Sequence, residues 1–187
     1  WLCFLQLAVA RPIGRTQAAL ANAREAFRKG HVQEAIGFAD EAGQANPLSP
    51  EPDVMLADFL TARGRLHEAS KIMSGLTEDV PRESAYWRRL GRICGTDFKL
   101  AKRDQYDYDP IQAYEHALAV YPSDTRSLLA LAQLYEECAR QSATGKTAFL
   151  EKAREYYHRF LDIARVNTDR HMRLDEAGMN RIRQRVK

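Results

Sequence analysis

Hydrophobic residues along most of this chain recur at steps of three and four positions, which is the spacing of one face of an α-helix. The segment Thr125–Ala139 shows it in one stripe: Leu128, Leu131, Leu134 and Tyr135. The segment Thr147–Ala164 shows it in another: Ala153, Tyr157, Phe160 and Leu161. Glycine and proline are sparse and fall between such stretches. The pattern therefore predicts an all-α chain whose helices each bury one side.

Four positions in the first half of the chain recur at a fixed interval of 34 residues. The pairs are Gly30 and Gly64, Glu34 and Glu68, Ala35 and Ala69, Pro47 and Pro81. Glycine permits the positive φ with which a chain reverses after a helix, alanine lets helices approach closely, and proline ends a helix. Each interval thus contains one position where a helix can stop and the chain reverse, one where helices can pack closely and one where a helix ends. We expect Ser49 to cap the next helix.

Two less regular copies follow. The third opens with Trp87-Arg-Arg-Leu90-Gly91, and its second helix is expected to begin at Pro110 with Asp109 as its cap. Pro81 to Pro122 spans 41 residues, seven more than one interval, and the surplus falls in the connector Gly95–Asp109. The fourth copy combines the two apolar stripes described above and has no closing proline.

These residues resemble the tetratricopeptide repeat, a unit of about 34 residues that opens with W-x-x-L-G and folds as a helix hairpin. The resemblance implies an all-α, right-handed α-solenoid of about four hairpins with a C-terminal capping helix. It also implies that the first helix of each hairpin lines a concave face that binds other proteins.

The chain is expected to divide into three regions. They are an apolar N-terminal arm (1–15), a repeat array (16–168, with copies 16–49, 50–83, 84–124 and 125–168) and a basic capping helix (169–187). The last region holds six basic residues against three acidic ones. A polar end cap is what a helical solenoid needs to stay soluble.

Residues Trp1–Ala10 are apolar, and two interpretations stay open for them. One is the remnant of a tag or leader peptide, and the other is an arm that buries its apolar side in a partner. As a helix, ten residues reach only about 15 Å, too short for a bilayer core of about 30 Å. Membrane contact is therefore expected only through residues 1–10.

Composition excludes some classes of function but does not identify one. The net charge is only +3, so no general footprint for nucleic acid or an anionic membrane is expected. The three cysteines, Cys3, Cys94 and Cys138, are too widely spaced for a disulfide framework and favour a reducing, intracellular compartment. The excess of arginine over lysine and the first residue, which is not Met, are compatible with an organellar, mitochondrial protein.

No residue pattern indicates catalysis, a cofactor or a metal. The string Gly145-Lys146-Thr147 ends like a phosphate-binding loop, but Arg140 stands where that loop needs glycine and the string joins two predicted helices. No two of the five histidines have the spacing of a zinc pair on one helix face. Cys94 and Cys138 lie among apolar residues and are expected to be buried structural thiols. We therefore expect no enzyme activity.

Candidate partner-binding residues come from the first helices of the copies and from the long connector. The groove residues are Arg24, Phe27, Arg28, Val54, Asp58, Arg88, Arg89, Arg92, Leu129, Gln133 and Glu136; the connector adds Phe98, Tyr106 and Tyr108. Arginine forks suit a carboxylate or phosphate, whereas the alternative for this cluster is internal pairing with acids such as Glu83 and Asp58. The connector aromatics suit an interface, or they fold back on the array.

The resemblance also bears on the kind of partner. Family members that grip acidic chaperone tails use basic and amide residues at places where this chain has Leu20, Arg24, Met55, Ala85 and Arg89. Only Arg89 fits, so a chaperone-tail adaptor is not expected.

The leading hypothesis is a non-enzymatic protein-protein interaction scaffold, an accessory subunit or assembly adaptor of a larger complex, whether or not that complex is associated with a membrane. The main alternative is an RNA-associated helical-repeat protein that uses Arg88, Arg92 and the basic last helix. A third is a regulatory domain of a larger enzyme.

Overall fold

The computed structural model describes residues 2–96, 98, 108–166 and 176–186. Every regular element in these ranges is an α-helix, as the apolar spacing predicts. The helices are α1 (Leu2–Arg28), α2 (Val32–Ala45), α3 (Glu51–Ala62), α4 (Leu66–Asp79), α5 (Ser84–Gly95), α6 (Pro110–Val120), α7 (Thr125–Gln141), α8 (Lys146–Val166) and α9 (Glu176–Arg185). The chain divides into two compact units, residues 1–76 and 77–187.

The two glycine turns of the first unit have the same geometry. Gly30 and Gly64 have φ values of 84° and 75°, a region that favours glycine. The amide of His31 donates to the carbonyl of Ala26 at 2.9 Å, and the amide of Arg65 donates to the carbonyl of Leu60 at 2.9 Å. Each glycine amide also donates to the residue three positions earlier, at 3.0 Å. Both turns are therefore Schellman motifs, the helix ends that the 34-residue repeat predicts.

Small residues form most of the core of the first unit. Helices α1, α2 and α3 bury one cluster between them: Ala19, Leu20, Ala23, Ala26, Ala35, Ala39, Ala42, Met55 and Phe59. Alanine has no side chain beyond Cβ, so the helix backbones pack at short distance. The expected cap of α3 is wrong in detail, because Pro50 and not Ser49 is its N-cap and no side chain caps this end. Pro52 in the first turn needs no amide hydrogen-bond partner there.

The second unit buries larger side chains along α5 to α9. Its cluster contains Phe98, Ile111, Tyr114, Leu118, Leu128, Leu131, Ala132, Tyr135, Cys138, Ala153, Tyr157, Phe160, Leu161 and Ile182. Cys94 and Cys138 are buried as thiols and form no disulfide, as their apolar neighbours predict. Asp109 caps α6, because its carboxylate accepts from the amide of Ile111 at 3.0 Å ahead of Pro110.

The residues of the W-x-x-L-G string hold the start of this unit together. The indole of Trp87 donates to the carbonyl of Pro81 at 2.8 Å and stacks on His116 with ring centroids 4.4 Å apart. Gly91 lies so close to Tyr114 that a Cβ at this position would be 2.9 Å from the ring. Trp87 and Gly91 are therefore packing residues, one for its area and one for its lack of a side chain.

Parts of the predicted organisation lie at the limits of the described residues. Helix α1 is continuous from Leu2 to Arg28 and passes through residue 15, where the arm was expected to meet the array. Residues 167–175 lie outside the described ranges. Of the predicted capping helix at 169–187, the structure therefore describes only the part that forms α9. The division into an arm, four copies and a cap stays a prediction. None of the described helices combines the length and apolar character that crossing a bilayer requires.

Candidate partner-binding groove

In the first unit, the predicted partner-binding residues have neighbours within the chain. The Arg24 guanidinium donates to the Glu51 carboxylate at 2.7 Å, which links α1 to α3. Phe27 stacks on Phe59 with ring centroids 4.4 Å apart, at the edge of the alanine-rich core. Asp58 on α3 is half-buried. The Phe27 ring is thus part of the packing between α1 and α3.

Arg28 makes a local ion pair on α1. Its guanidinium donates twice to Glu25, at 2.7 and 2.9 Å, and Lys29 lies 3.2 Å from the same carboxylate. The hydrogen bonds from Arg28 and then Lys29 lower the pKa of Glu25 to about 2. Arg28 and Lys29 are largely exposed and Glu25 is about half exposed, so water and salt screen the pair.

In the second unit, Arg88 is paired within the chain. Its guanidinium donates to Asp124 at 2.9 Å, and the Asp124 side chain is only 2% exposed. Asp124 also accepts from the Ser127 hydroxyl at 2.7 Å and from the Arg126 amide at 3.3 Å, so it is the N-cap of α7. Internal pairing was one alternative for the arginine cluster, and the acid that Arg88 contacts is Asp124.

The helices α5 and α7 border an open cavity of about 440 Å³, here called the α5–α7 groove. Its lining residues are Arg92, Gly95, Thr96, Phe98, Tyr114, Ala130, Gln133, Leu134 and Glu137. Three residues predicted to bind a partner, Arg92, Phe98 and Gln133, come together there. Phe98 and Tyr114 are each 6% exposed and give the groove an apolar, aromatic floor. Burial raises the pKa of Tyr114 to about 12, so its ring stays uncharged even at moderately alkaline pH.

Glu136 lies outside this groove, in a contact among three helices. The Tyr157 hydroxyl of α8 donates to Glu136 at 2.9 Å, and Arg185 of α9 donates to the same hydroxyl at 2.8 Å. Arg185 also pairs directly with Glu136. Burial raises the pKa of Tyr157 to about 12. This triad fastens α9, whose Ile182 is buried in the core of the unit.

The remaining candidates are divided between the two units and the undescribed part of the connector. Tyr108 is half-buried and its ring centroid lies 5.8 Å from that of Trp87, so this aromatic contacts the array. Tyr106 lies outside the described residues. Arg89, Val54 and Leu129 are half-buried. Their role toward a partner stays a prediction.

The model of the tetratricopeptide repeat family matches residues 26–93. This stretch of the chain carries the pattern of the tetratricopeptide repeat. The matched span includes both Schellman turns and the Trp87–Gly91 string, the features that carry the resemblance in the sequence. Arrays of such repeats present extended binding surfaces to other proteins, and they are generally not enzymes.

Solved structures of MamA share the fold of this repeat protein. One crystal structure of MamA aligns with a TM-score of 0.66 and 16% identity over 92% of this chain and 79% of that chain. MamA from Desulfovibrio magneticus RS-1, residues 41 to the end, aligns with a TM-score of 0.62 and 17% identity over 92% and 87%. At this identity the likeness shows the fold, and it confirms the predicted all-α repeat class. No curated protein sequence matches the chain significantly.

The sequence did not reveal two polar links of the second unit. Asp124 precedes Thr125 and could have been found as a helix cap, because Asp before a helical stripe is a common N-terminal signal. The triad of Glu136, Tyr157 and Arg185 has no local signal, since its members are 21 and 28 residues apart along the chain.

Proposed function

We propose that this repeat protein is a non-enzymatic adaptor that holds a segment of another protein in the α5–α7 groove. The observation that supports the proposal is the groove itself, about 440 Å³ between the first helices of two successive hairpins. Pockets of about 300 to 1,000 Å³ commonly receive a ligand or an anchoring side chain. In this role the chain is an accessory subunit or assembly adaptor of a larger complex.

The lining of the groove favours a peptide with an apolar anchor beside polar groups. Phe98, Tyr114 and Leu134 offer apolar area to the anchor. Arg92 and Gln133 are exposed at the rim, where they can meet backbone carbonyls or a carboxylate of the bound segment. Such a mixture of a buried apolar centre and a polar rim is typical of protein interfaces.

Site-specific photocrosslinking tests this function. Benzoylphenylalanine in place of Gln133 lies in the groove, so it should capture a small number of defined partner proteins in the source cells. His158 on α8 is exposed and does not line the groove, and the same substitution there is the matched control. Crosslinks at Gln133 that fade when Tyr114 and Phe98 are replaced by alanine in a chain that stays folded would support the adaptor.

The opposite result is equally clear. Identical crosslinked species at positions 133 and 158, or none at position 133 in cells that express the folded chain, would contradict a partner in this groove. Circular dichroism of each purified variant verifies the fold.

A further inference from the structure

The second unit contains another cavity, lined by residues that do not line the α5–α7 groove. It measures about 310 Å³ and lies among α6, α7 and α8. The residues that give it its chemistry are Gln112, Glu115, Tyr135, Phe149 and Lys152. We call it the α6–α8 cavity. It combines aromatic rings with a carboxylate, which together favour a cation.

The aromatic part of the cavity is preformed. The rings of Tyr135 and Phe149 have centroids 6.4 Å apart, and Tyr156 stacks on Tyr135 at 5.7 Å with planes inclined by only 8°. The Tyr135 hydroxyl donates to Glu115 at 3.2 Å, a long contact that places the carboxylate beside the ring. Burial and the nearby charge of Glu115 raise the pKa of Tyr156, which favours the neutral phenol of the stacked ring.

A cation of the chain itself already occupies this environment. The Lys152 ammonium lies 5.2 Å from the centre of the Tyr135 ring and 3.4 Å from the Tyr135 hydroxyl. The distance of 3.4 Å between the Lys152 ammonium and the Tyr135 hydroxyl is long for a hydrogen bond, and Lys152 is exposed. The ammonium therefore shows which charge the cavity accepts while being only loosely held.

We propose that the α6–α8 cavity binds an exposed arginine side chain of a partner protein, which displaces Lys152. A planar guanidinium can lie on an aromatic face and form two parallel hydrogen bonds to one carboxylate, whereas an ammonium is a compact point charge. In the present arrangement Lys152 reaches Glu115 through the Tyr135 hydroxyl. An incoming guanidinium gains a direct contact with Glu115 that Lys152 does not use, and Lys152 moves into water.

This site gives the chain a second contact surface that is independent of the groove occupied in the adaptor role. Substitutions can therefore separate the two contacts. One set of variants affects a partner with an apolar anchor in the α5–α7 groove, and another set affects a partner whose arginine binds in the α6–α8 cavity. The two lining sets share no residue.

The test uses two small probes of nearly the same shape, N-acetyl-arginine amide and the uncharged N-acetyl-citrulline amide, in which a carbonyl oxygen replaces one guanidinium nitrogen. Each is titrated into the full chain, and the NMR signals of the aromatic rings are followed. The arginine probe should shift the signals of Tyr135 and Phe149 in a saturable way, and the citrulline probe should not. The neutral ureido group of citrulline can form neither a cation–π contact with the rings nor a charge-assisted hydrogen bond to Glu115.

Two variants with matched controls sharpen the result. Lys152→Ala should tighten binding of the arginine probe about threefold, because the competing cation is gone, while Glu115→Gln should weaken it about fivefold. Lys146→Ala and Glu151→Gln remove exposed charges of α8 that do not line the cavity, and they should leave the affinity unchanged.

Three results would overturn the proposal. The first is equal shifts with the arginine and citrulline probes. The second is an affinity that Glu115→Gln does not alter in a folded variant. The third is weaker binding in Lys152→Ala together with saturable binding of N-acetyl-aspartate amide, because that would make the cavity a site for an anion held by Lys152.

Discussion

The two units of this chain achieve helix packing with different side chains. In the cluster described for residues 1–76, six of the nine buried residues are alanines, whereas in that of residues 77–187 only two of 14 are. The second cluster instead includes five aromatic residues: Phe98, Tyr114, Tyr135, Tyr157 and Phe160. Small residues let helices meet at short distance, while large ones need individual contacts to fill the space between helices.

The ion pairs of the two units also differ, in their burial and in the elements that they join. The ion pairs described in the first unit are exposed. Arg28 with Glu25 and Arg65 with Glu68 join residues only three positions apart, and Arg24 with Glu51 joins α1 to α3. In the second unit, Arg88 with Asp124 joins α5 to the start of α7, and Arg185 with Glu136 joins α9 to α7. Many small contacts therefore stabilise the regular repeats of the first unit. The irregular repeats of the second unit depend more on a few individual side chains.

The largest expected effect is at Asp124. Asp124→Ala leaves the guanidinium of Arg88 without its buried partner and removes the cap of α7, so we expect a loss of about 3 kcal/mol in the free energy of unfolding. In the first unit, Glu51→Ala removes the exposed pair with Arg24 and should cost at most about 1 kcal/mol. Urea denaturation of both variants measures the difference. Equal losses would contradict the contrast between the units.

Two glycines in helices provide the second comparison, because the same substitution should have opposite signs. Gly91→Ala forces the Tyr114 ring aside and should destabilise the chain by about 1 to 3 kcal/mol. Gly37 lies in α2 with open space where its Cβ would be, so Gly37→Ala should stabilise by about 0.5 to 1 kcal/mol. Thermal unfolding followed by circular dichroism reports both signs. A stabilised Gly91→Ala chain would show that the contact with Tyr114 is not tight.

Alkaline pH should act on the second unit, which contains all eight tyrosines. Burial raises the pKa of Tyr114 and of Tyr157 to about 12, above the value of about 10 for the unfolded chain. The folded state then binds more protons in this interval, so their contribution to stability is complete below pH 10 and is lost as pH rises toward 12.

The measurement for this prediction is the melting temperature between pH 9 and pH 12. Tyr157→Phe cannot ionise at this position, so the variant should lose less stability across the interval than the parent chain, although it starts lower because it lacks the hydrogen bonds to Glu136 and Arg185. If the melting temperatures of the two chains fell in parallel with pH, ionisation of Tyr157 would not contribute to the loss of stability.

The contrast between the units also explains what could be predicted from the sequence. The turns at Gly30 and Gly64 follow from a repeat interval and the conformational freedom of glycine, both of which are local properties. The thiols of Cys94 and Cys138 are buried as their apolar neighbours predict. Local rules therefore suffice where packing repeats at a fixed interval.

The candidate site was predictable only in part. Sequence spacing selected Arg92, Phe98 and Gln133, which line one groove, but it also selected Phe27 and Glu136, which have packing or polar partners within the chain. Which face of a first helix stays open depends on partners that are distant along the chain. Periodicity alone does not identify such partners.

The ion pair of Arg88 with Asp124 has a consequence for association. It ties α5 to the start of α7, the two helices that form the walls of the α5–α7 groove. A cleft whose width is set in advance demands little loss of conformational entropy when a ligand enters. We therefore expect encounter rates limited by diffusion and orientation rather than by a slow opening step, with differences among ligands expressed in their residence times.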